Sequence, residues 1–366
     1  MKILLIGPDH AGGSIPPYLN VLSQGLRALG AEVDRLGSAG EPFDEGACGF
    51  WSAERIVCEA RGLLARVDLS DYDVVSLHFG NLEVEQLLPS LWEGLERPAV
   101  VYHVHSLDWT LFTEHVPDTG LRARVEAGVR SMDGFLYFGS YARHVLGGQG
   151  LGQVPGRVNY LPTTIPVERL SAPNSRARLG NAPVASLYGY PSTWKDAEGL
   201  LQAFRLMRHP MRFVLAGPRW DNPTQSGVDL MAGTSVHGPV QVEVRPHYMG
   251  VEERVALMAE SDLAIFPYQD VPTFQGSGAI ADYLVHGIPV LATDVANMAE
   301  VIGEAGTIIP PGEPRALAGA LDRFASEHSH RRDLAEKAER RSELFHPTRH
   351  ARICLDFFAE VVKTRG

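Results

Sequence analysis

Apolar residues along the chain follow two alternating rhythms. Residues 3–6 form a short unbroken apolar run that stops at Gly7-Pro8, the pattern of a strand buried on both faces of a parallel sheet. Leu19, Leu22, Leu26 and Leu29 then recur at helical spacing, which predicts an amphipathic helix over 18–29 closed by Gly30, and Glu32-Val33 resumes extended chain. Further apolar runs at 74–77, 100–102 and 135–138 are separated by helical stretches at 82–95 and 121–132, and this alternation implies a doubly wound α/β sheet. Prolines within 158–166 and a stretch rich in Pro, Asn, Ser and Gly at 171–183 break the rhythm and read as a linker. A second series follows, with strands expected at 185–187, 212–216, 241–244, 263–266, 289–293 and 307–309, and helices at 198–207, 252–260, 278–286 and 315–328. The last helix, 348–363, carries Ile353, Leu355, Phe357, Phe358, Val361 and Val362, too apolar a set to remain undocked.

Length supports the two-series reading. A chain of 366 residues exceeds the size at which one hydrophobic core stops growing. Two domains are expected, residues 1–165 and 166–347, with a cleft between them. The formal net charge of −11 argues against a nucleic-acid partner, since phosphates repel such a surface. The densest basic cluster, Arg331, Arg332, Lys337, Arg340 and Arg341, is interleaved with Asp333, Glu336 and Glu339 and reads as a solvated helix face. Three cysteines without a CxxC pair indicate neither a disulfide framework nor a thiolate metal site. The apolar start is broken at Gly7-Pro8-Asp9, far short of a signal segment or membrane span, so a cytoplasmic protein without stable membrane anchoring is expected.

Two glycine-rich turns carry candidate chemistry. Gly12-Gly13-Ser14 precedes the first helix, where bare backbone amides favour an anion, although a plain tight turn has the same composition. The pattern is not GxGxxG, so a dinucleotide site is not supported. The second turn, Gln275-Gly276-Ser277-Gly278, opens a helix that closes at Gly287 before an apolar strand. Asp282 lies one turn into that helix, placed either to accept hydrogen bonds from a ribose or to face solvent.

At these residues the chain resembles the retaining family 4 glycosyltransferases of GT-B fold. The resemblance runs through Ser261-Asp262-Leu263-Ala264-Ile265-Phe266-Pro267, through Gly287-Ile288-Pro289-Val290-Leu291-Ala292-Thr293-Asp294, and through Glu300-Val301-Ile302 followed by Gly306 to Gly312. Upstream, Leu187-Tyr188-Gly189, Lys195 and Gly199 to Phe204 resemble the family's donor-domain start. The resemblance implies a GT-B fold, two Rossmann-like doubly wound domains with an interdomain cleft. It makes 1–165, joined by the terminal helix 348–366, the acceptor domain and 166–347 the nucleotide-sugar donor domain. It implies that Lys195 binds the donor diphosphate and acts in catalysis with His105, and that Gly12, Gly13, Gly276, Ser277, Gly278 and Asp282 contact the donor. Two departures stand out: Tyr190 occupies the position of the family's arginine, and Phe274 that of the first of its paired glutamates, Asp282 replacing the second.

The implied activity is retaining, metal-independent transfer of a hexosyl group from a nucleoside-diphosphate sugar, most often uridine-linked, to a small soluble acceptor, with no cofactor. Acceptor contacts fall by analogy on or near Asp9, His10, His78, Asp108 and Trp109. His103 and His105 face one way if both lie in a strand, but no third ligand stands at a recognisable spacing, so no metal is expected. The two departures leave a non-catalytic nucleotide-sugar-binding or partner-stabilising protein, or a nucleotide-sugar epimerase, as rival readings.

Overall fold

The computed structural model describes all residues except 10–13, 38–51, 79–83, 93–96, 108–117, 171–181, 190–192, 218–232, 272–275 and 366. The chain divides into two compact units, Met1–Tyr160 with Pro347–Gly366, and Leu161–Pro272 with Gly276–His346. The division falls between Tyr160 and Leu161, inside the proline-marked break at 158–166 and ahead of the domain boundary expected at 165, and Thr163 is buried within the second unit.

The first unit runs β1 (Lys2–Ile6), α1 (Ile15–Ala28), β2 (Glu32–Leu36), α2 (Ala53–Leu64), β3 (Val74–His78), α3 (Val84–Leu91), β4 (Ala99–Val104), α4 (Thr119–Arg130), β5 (Gly134–Tyr137), α5 (Ser140–Leu146) and β6 (Gly156–Val158). The six strands stand in the order β2-β1-β3-β4-β5-β6, all parallel. Every residue of β3, β4 and β5 is buried, as a sheet covered by helices on both faces requires. Helices α3 and α4 meet at Gly128, where a Cβ would overlap the Gln86 carbonyl oxygen. Gly128→Ala should therefore cost about 1–3 kcal/mol of stability by overpacking, read as a lower urea midpoint at unchanged slope.

The terminal helix Pro347–Arg365 belongs to this unit. It crosses α1 closely at Gly25, where a Cβ would come 2.6 Å from that of Ala351, and Phe357 and Val361 pack over Gly134. Arg365 donates to Asp133 at 2.7 Å, and Arg157 pairs with Glu360 at 2.7 Å. These contacts cover the apolar face that the sequence pattern left without a partner.

The second unit runs β7 (Val184–Tyr188), α6 (Ala197–Leu206), β8 (Met211–Ala216), β9 (Gly233–His237), β10 (Val240–Arg245), α7 (Val251–Glu260), β11 (Leu263–Phe266), α8 (Ala279–Val285), β12 (Val290–Thr293), α9 (Met298–Ile302) and β13 (Gly306–Ile309), followed by α10 (Pro314–Ser326) and α11 (His328–Arg341). Its strand order is β13-β12-β11-β7-β8-β10-β9. All pairs are parallel except the edge hairpin β9–β10, whose first strand is largely exposed and lacks an apolar run, so sequence patterning passes over it. Both sheets reverse direction of winding at an inner strand pair, β1 with β3 and β7 with β11, which is where open α/β sheets bind ligands beyond the carboxyl ends of their strands. Among the described residues no helix is long and apolar enough to cross a membrane.

Candidate functional site

The switch point of the second sheet gathers the loops after β7, β11 and β12. Gly189 follows β7 with φ +120°, and a Cβ on it would stand 2.9 Å from the Lys195 Nζ. Absence of a side chain there makes room for the ammonium. Lys195 ends a 3₁₀ turn, Thr193–Lys195, and the next residue, Asp196, adopts a left-handed conformation with φ 47° while capping α6 through the Gly199 amide at 3.1 Å. The Gln269 amide donates to the Trp194 carbonyl at 2.7 Å, which ties the loop after β11 to the lysine's turn. Thr293 Oγ1, at the end of β12, donates to the Tyr268 carbonyl at 2.6 Å.

Lys195 is 9% exposed, its Nζ lying 5.5 Å from the Trp194 ring centroid and 5.9 Å from that of Tyr268. Among the described residues no carboxylate or carbonyl holds it. Burial alone pulls its pKa down to about 7, because a cation loses hydration there without gaining an anion. Ser277 reaches the Tyr268 hydroxyl at 3.4 Å, and Gly276 lies where a Cβ would overlap the Asn297 side chain. Gly278 immediately precedes α8. Gly276, Ser277 and Gly278 thus stand on the Tyr268 side of the same switch point as Lys195.

Asp282 departs from both roles read for it in the sequence. It is fully buried, and all its acceptor positions are taken. Thr163 Oγ1 donates to Oδ1 at 2.5 Å and the Thr164 amide to the same oxygen at 3.2 Å. Tyr188 Oη and Arg254 donate to Oδ2, the latter at 2.8 Å. A carboxylate offers about four lone-pair sites, so none is left for a ribose. Asp282 is a buried anchor that fixes α8, β7 and α7 around the switch point, and Arg254, which also donates to Thr164 Oγ1 at 2.7 Å, is its counter-ion. Sequence reasoning missed Arg254, Thr163 and Thr164. The available signal was an arginine on the same helical stripe as Leu257 and Met258, both buried.

In the first unit, His105 stands one residue beyond β4, and its amide donates to the His103 carbonyl at 2.9 Å, so the two histidines are related by a tight bend rather than by strand alternation. The register of β3 with β4 sets His78 beside His103 and supplies the third histidine that no spacing in the sequence disclosed. His78 Nδ1 lies 3.2 Å from His105 Nε2, and one ring nitrogen from each of His78, His103 and His105 falls within 4.8 Å of the others. Burial holds all three imidazoles neutral, His105 down to about 3. Asp9 is exposed and lies 3.7 Å from Arg35. Gly12, Gly13, His10, Asp108, Trp109, Tyr190 and Phe274 lie outside the described residues.

Comparison with known proteins agrees with this architecture. Residues 184–327 match the family model for glycosyl transferases group 1. An exopolysaccharide phosphotransferase of Streptomyces coelicolor is 27% identical over 231 residues, which are 59% of this chain and 22% of that protein. The chain therefore spans under a quarter of the length of the curated relative it matches. Among solved structures, sucrose-phosphate synthase from Thermosynechococcus elongatus superposes with a TM-score of 0.72 at 17% identity, covering 99% of both chains. The Anabaena protein HepE, solved in complex with UDP and glucose, gives 0.70 at 17% identity, covering 98% of this chain and 100% of that one. The match to glycosyl transferases group 1 thus covers residues 184–327, within a chain of GT-B fold.

Proposed function

We propose that the chain is a retaining glycosyltransferase that binds a uridine-diphosphate sugar at the switch point of the second sheet and passes the hexosyl group to a small soluble acceptor. The observation that carries this reading is Lys195: a buried ammonium beside two aromatic faces and without an anion among the described residues. A donor diphosphate supplies that anion. The likeness to HepE, solved with UDP and glucose, supports uridine as the base, and the group 1 match over the Lys195 segment supports a sugar-transfer site.

In this mechanism the bond between the anomeric carbon and the diphosphate oxygen breaks as the acceptor hydroxyl attacks from the same face. The acceptor proton passes to the departing diphosphate, so no protein base is needed. In this reading Lys195 neutralises the growing charge and the Gly276-Ser277-Gly278 segment, on the Tyr268 side of the same switch point, adds amide and hydroxyl donors, so that the leaving anion is stabilised without solvent reorganisation. His105 stays neutral down to about pH 3 and acts as a hydrogen-bonding imidazole, not as a proton store.

The test is donor binding across pH. Uridine-diphosphate sugars should raise the melting temperature, and turnover with an accepted alcohol should yield a product of unchanged anomeric configuration by NMR. In the free protein Lys195 loses its proton as pH rises through about 7, while the bound diphosphate restores it. Donor affinity should therefore fall above neutrality by up to about tenfold per pH unit until the bound lysine also titrates. Lys195→Arg, charged throughout this range, should flatten the profile. No thermal response to uridine, guanosine, adenosine or thymidine diphosphate sugars would overturn the reading.

A further inference from the structure

The histidine cluster of the first unit is built as a chain of hydrogen bonds with a defined direction. The Tyr160 carbonyl lies 2.9 Å from His350 Nδ1 and can only accept, so that nitrogen carries the proton. Asn159 Nδ2, also 2.9 Å from Nδ1, directs its hydrogens to the His350 carbonyl at 3.4 Å and to Cys354 Sγ at 4.0 Å. With that proton on Nδ1, the buried ring presents Nε2 as an acceptor, which Cys354 Sγ also approaches at 3.4 Å. Tyr18 Oη, 2.8 Å away, donates to it. That hydroxyl then accepts from His103 Nδ1 at 2.9 Å. A His103 ring that donates from Nδ1 leaves Nε2 as its other nitrogen, and this atom is buried with no hydrogen-bond partner among the described residues. A bare lone pair at such depth costs free energy unless something electropositive meets it.

The neighbouring pair is arranged in the same sense. His78 Nδ1 and His105 Nε2, 3.2 Å apart, match the edge of a tetrahedral site, which for zinc–nitrogen bonds of roughly 2.0–2.1 Å is about 3.3 Å. The other His78 nitrogen, Nε2, lies 3.0 Å from Ser76 Oγ. Ser76 on His78 and Tyr18 on His103 are thus outer partners that fix ring orientation, as in metal-ligating histidines.

We propose that His78, His103 and His105 bind one divalent transition-metal ion of the zinc type, with the fourth position open to water or a ligand oxygen on the half-buried His105 side. Three neutral imidazoles and no carboxylate suit zinc or cobalt over magnesium or calcium. The site lies at the carboxyl ends of β3 and β4, beside the switch point of the first sheet. It stands on this geometry alone and does not depend on the sugar-transfer reading.

The test uses the whole chain, stripped with a chelator, given one equivalent of zinc and dialysed, with metal content measured by mass spectrometry. About one zinc per chain is expected in the wild type, and His105→Ala, which removes the least buried ligand, should retain none. Ser76→Ala should weaken zinc affinity by about 10–100-fold while leaving stoichiometry intact at saturating metal. His209→Ala, at an exposed histidine, should bind as the wild type does. Cobalt should give the visible absorption of a four-coordinate ion in the wild type and not in His105→Ala. Wild type retaining no more zinc than His105→Ala would overturn the proposal, as would equal retention by both, and circular dichroism of each variant separates loss of ligand from loss of fold.

Discussion

Asp282→Ala should destabilise the second unit by about 3–5 kcal/mol, the range for removing one partner of a buried ion pair. The reason lies in what remains. Arg254 keeps its charge in a site where its side chain is 10% exposed, and Tyr188 Oη, Thr163 Oγ1 and the Thr164 amide all lose their acceptor at once. Asp282→Asn is expected to recover little. Its amide nitrogen turns donors toward Arg254 or toward the threonines, and its single oxygen cannot serve both sides. The informative companion is Arg254→Met, made alone and with Asp282→Ala. If the loss comes from the stranded guanidinium, the double variant should be more stable than Asp282→Ala alone, a coupling of more than about 1 kcal/mol in a double-mutant cycle. Urea denaturation of the four proteins decides the matter. A loss below about 1 kcal/mol for Asp282→Ala would refute the anchor role and return the carboxylate to the ligand-facing role expected from sequence.

Asp282 also shows where sequence reading stops. The apolar run of β1, the helical spacing of Leu19, Leu22 and Leu26, and the proline-rich break near residue 160 are local signals, and the two sheets follow from them by the ordinary rules of parallel α/β folds. The environment of Asp282 is not local. Its partners Thr163, Tyr188 and Arg254 lie 119, 94 and 28 residues away, and only strand order brings them to one point. The histidines behave alike. His103 and His105 are adjacent enough to be noticed together, whereas His78 is 27 residues from His105, and Tyr18 and His350 are 332 residues apart. Parallel register between β3 and β4 sets His78 against His103, a fact that composition and spacing do not contain. Lys195 was singled out for the opposite reason: its resemblance rests on motifs contiguous in sequence from Leu187 to Phe204, and the ends of that stretch lie in β7 and α6 of one unit.

Lys195→Met should stabilise the fold while abolishing donor binding. The unfolded chain holds this lysine at its ordinary pKa of 10.5, whereas the folded unit holds it at about 7. Between those values the unfolded state binds the extra proton, so the lysine's contribution to stability rises as pH goes from 7 toward 10 and is least favourable below 7. At about 1.4 kcal/mol for each tenfold change in proton affinity, the penalty near neutrality is on the order of 4 kcal/mol, and methionine, with a similar stem and no charge, removes it. The stability difference between Lys195→Met and wild type should therefore be largest at pH 6 to 7 and should shrink toward pH 10, which cancels the titration of groups common to both proteins. Uridine-diphosphate sugars should raise the melting temperature of the wild type and leave that of the variant unchanged. The two effects have opposite sign, which is what separates a binding residue from a packing one: a lysine kept for structure would lose stability on substitution. Destabilisation by Lys195→Met at pH 7, or an undiminished thermal response to the donor, would remove Lys195 from the site and with it the observation on which the sugar-transfer reading rests.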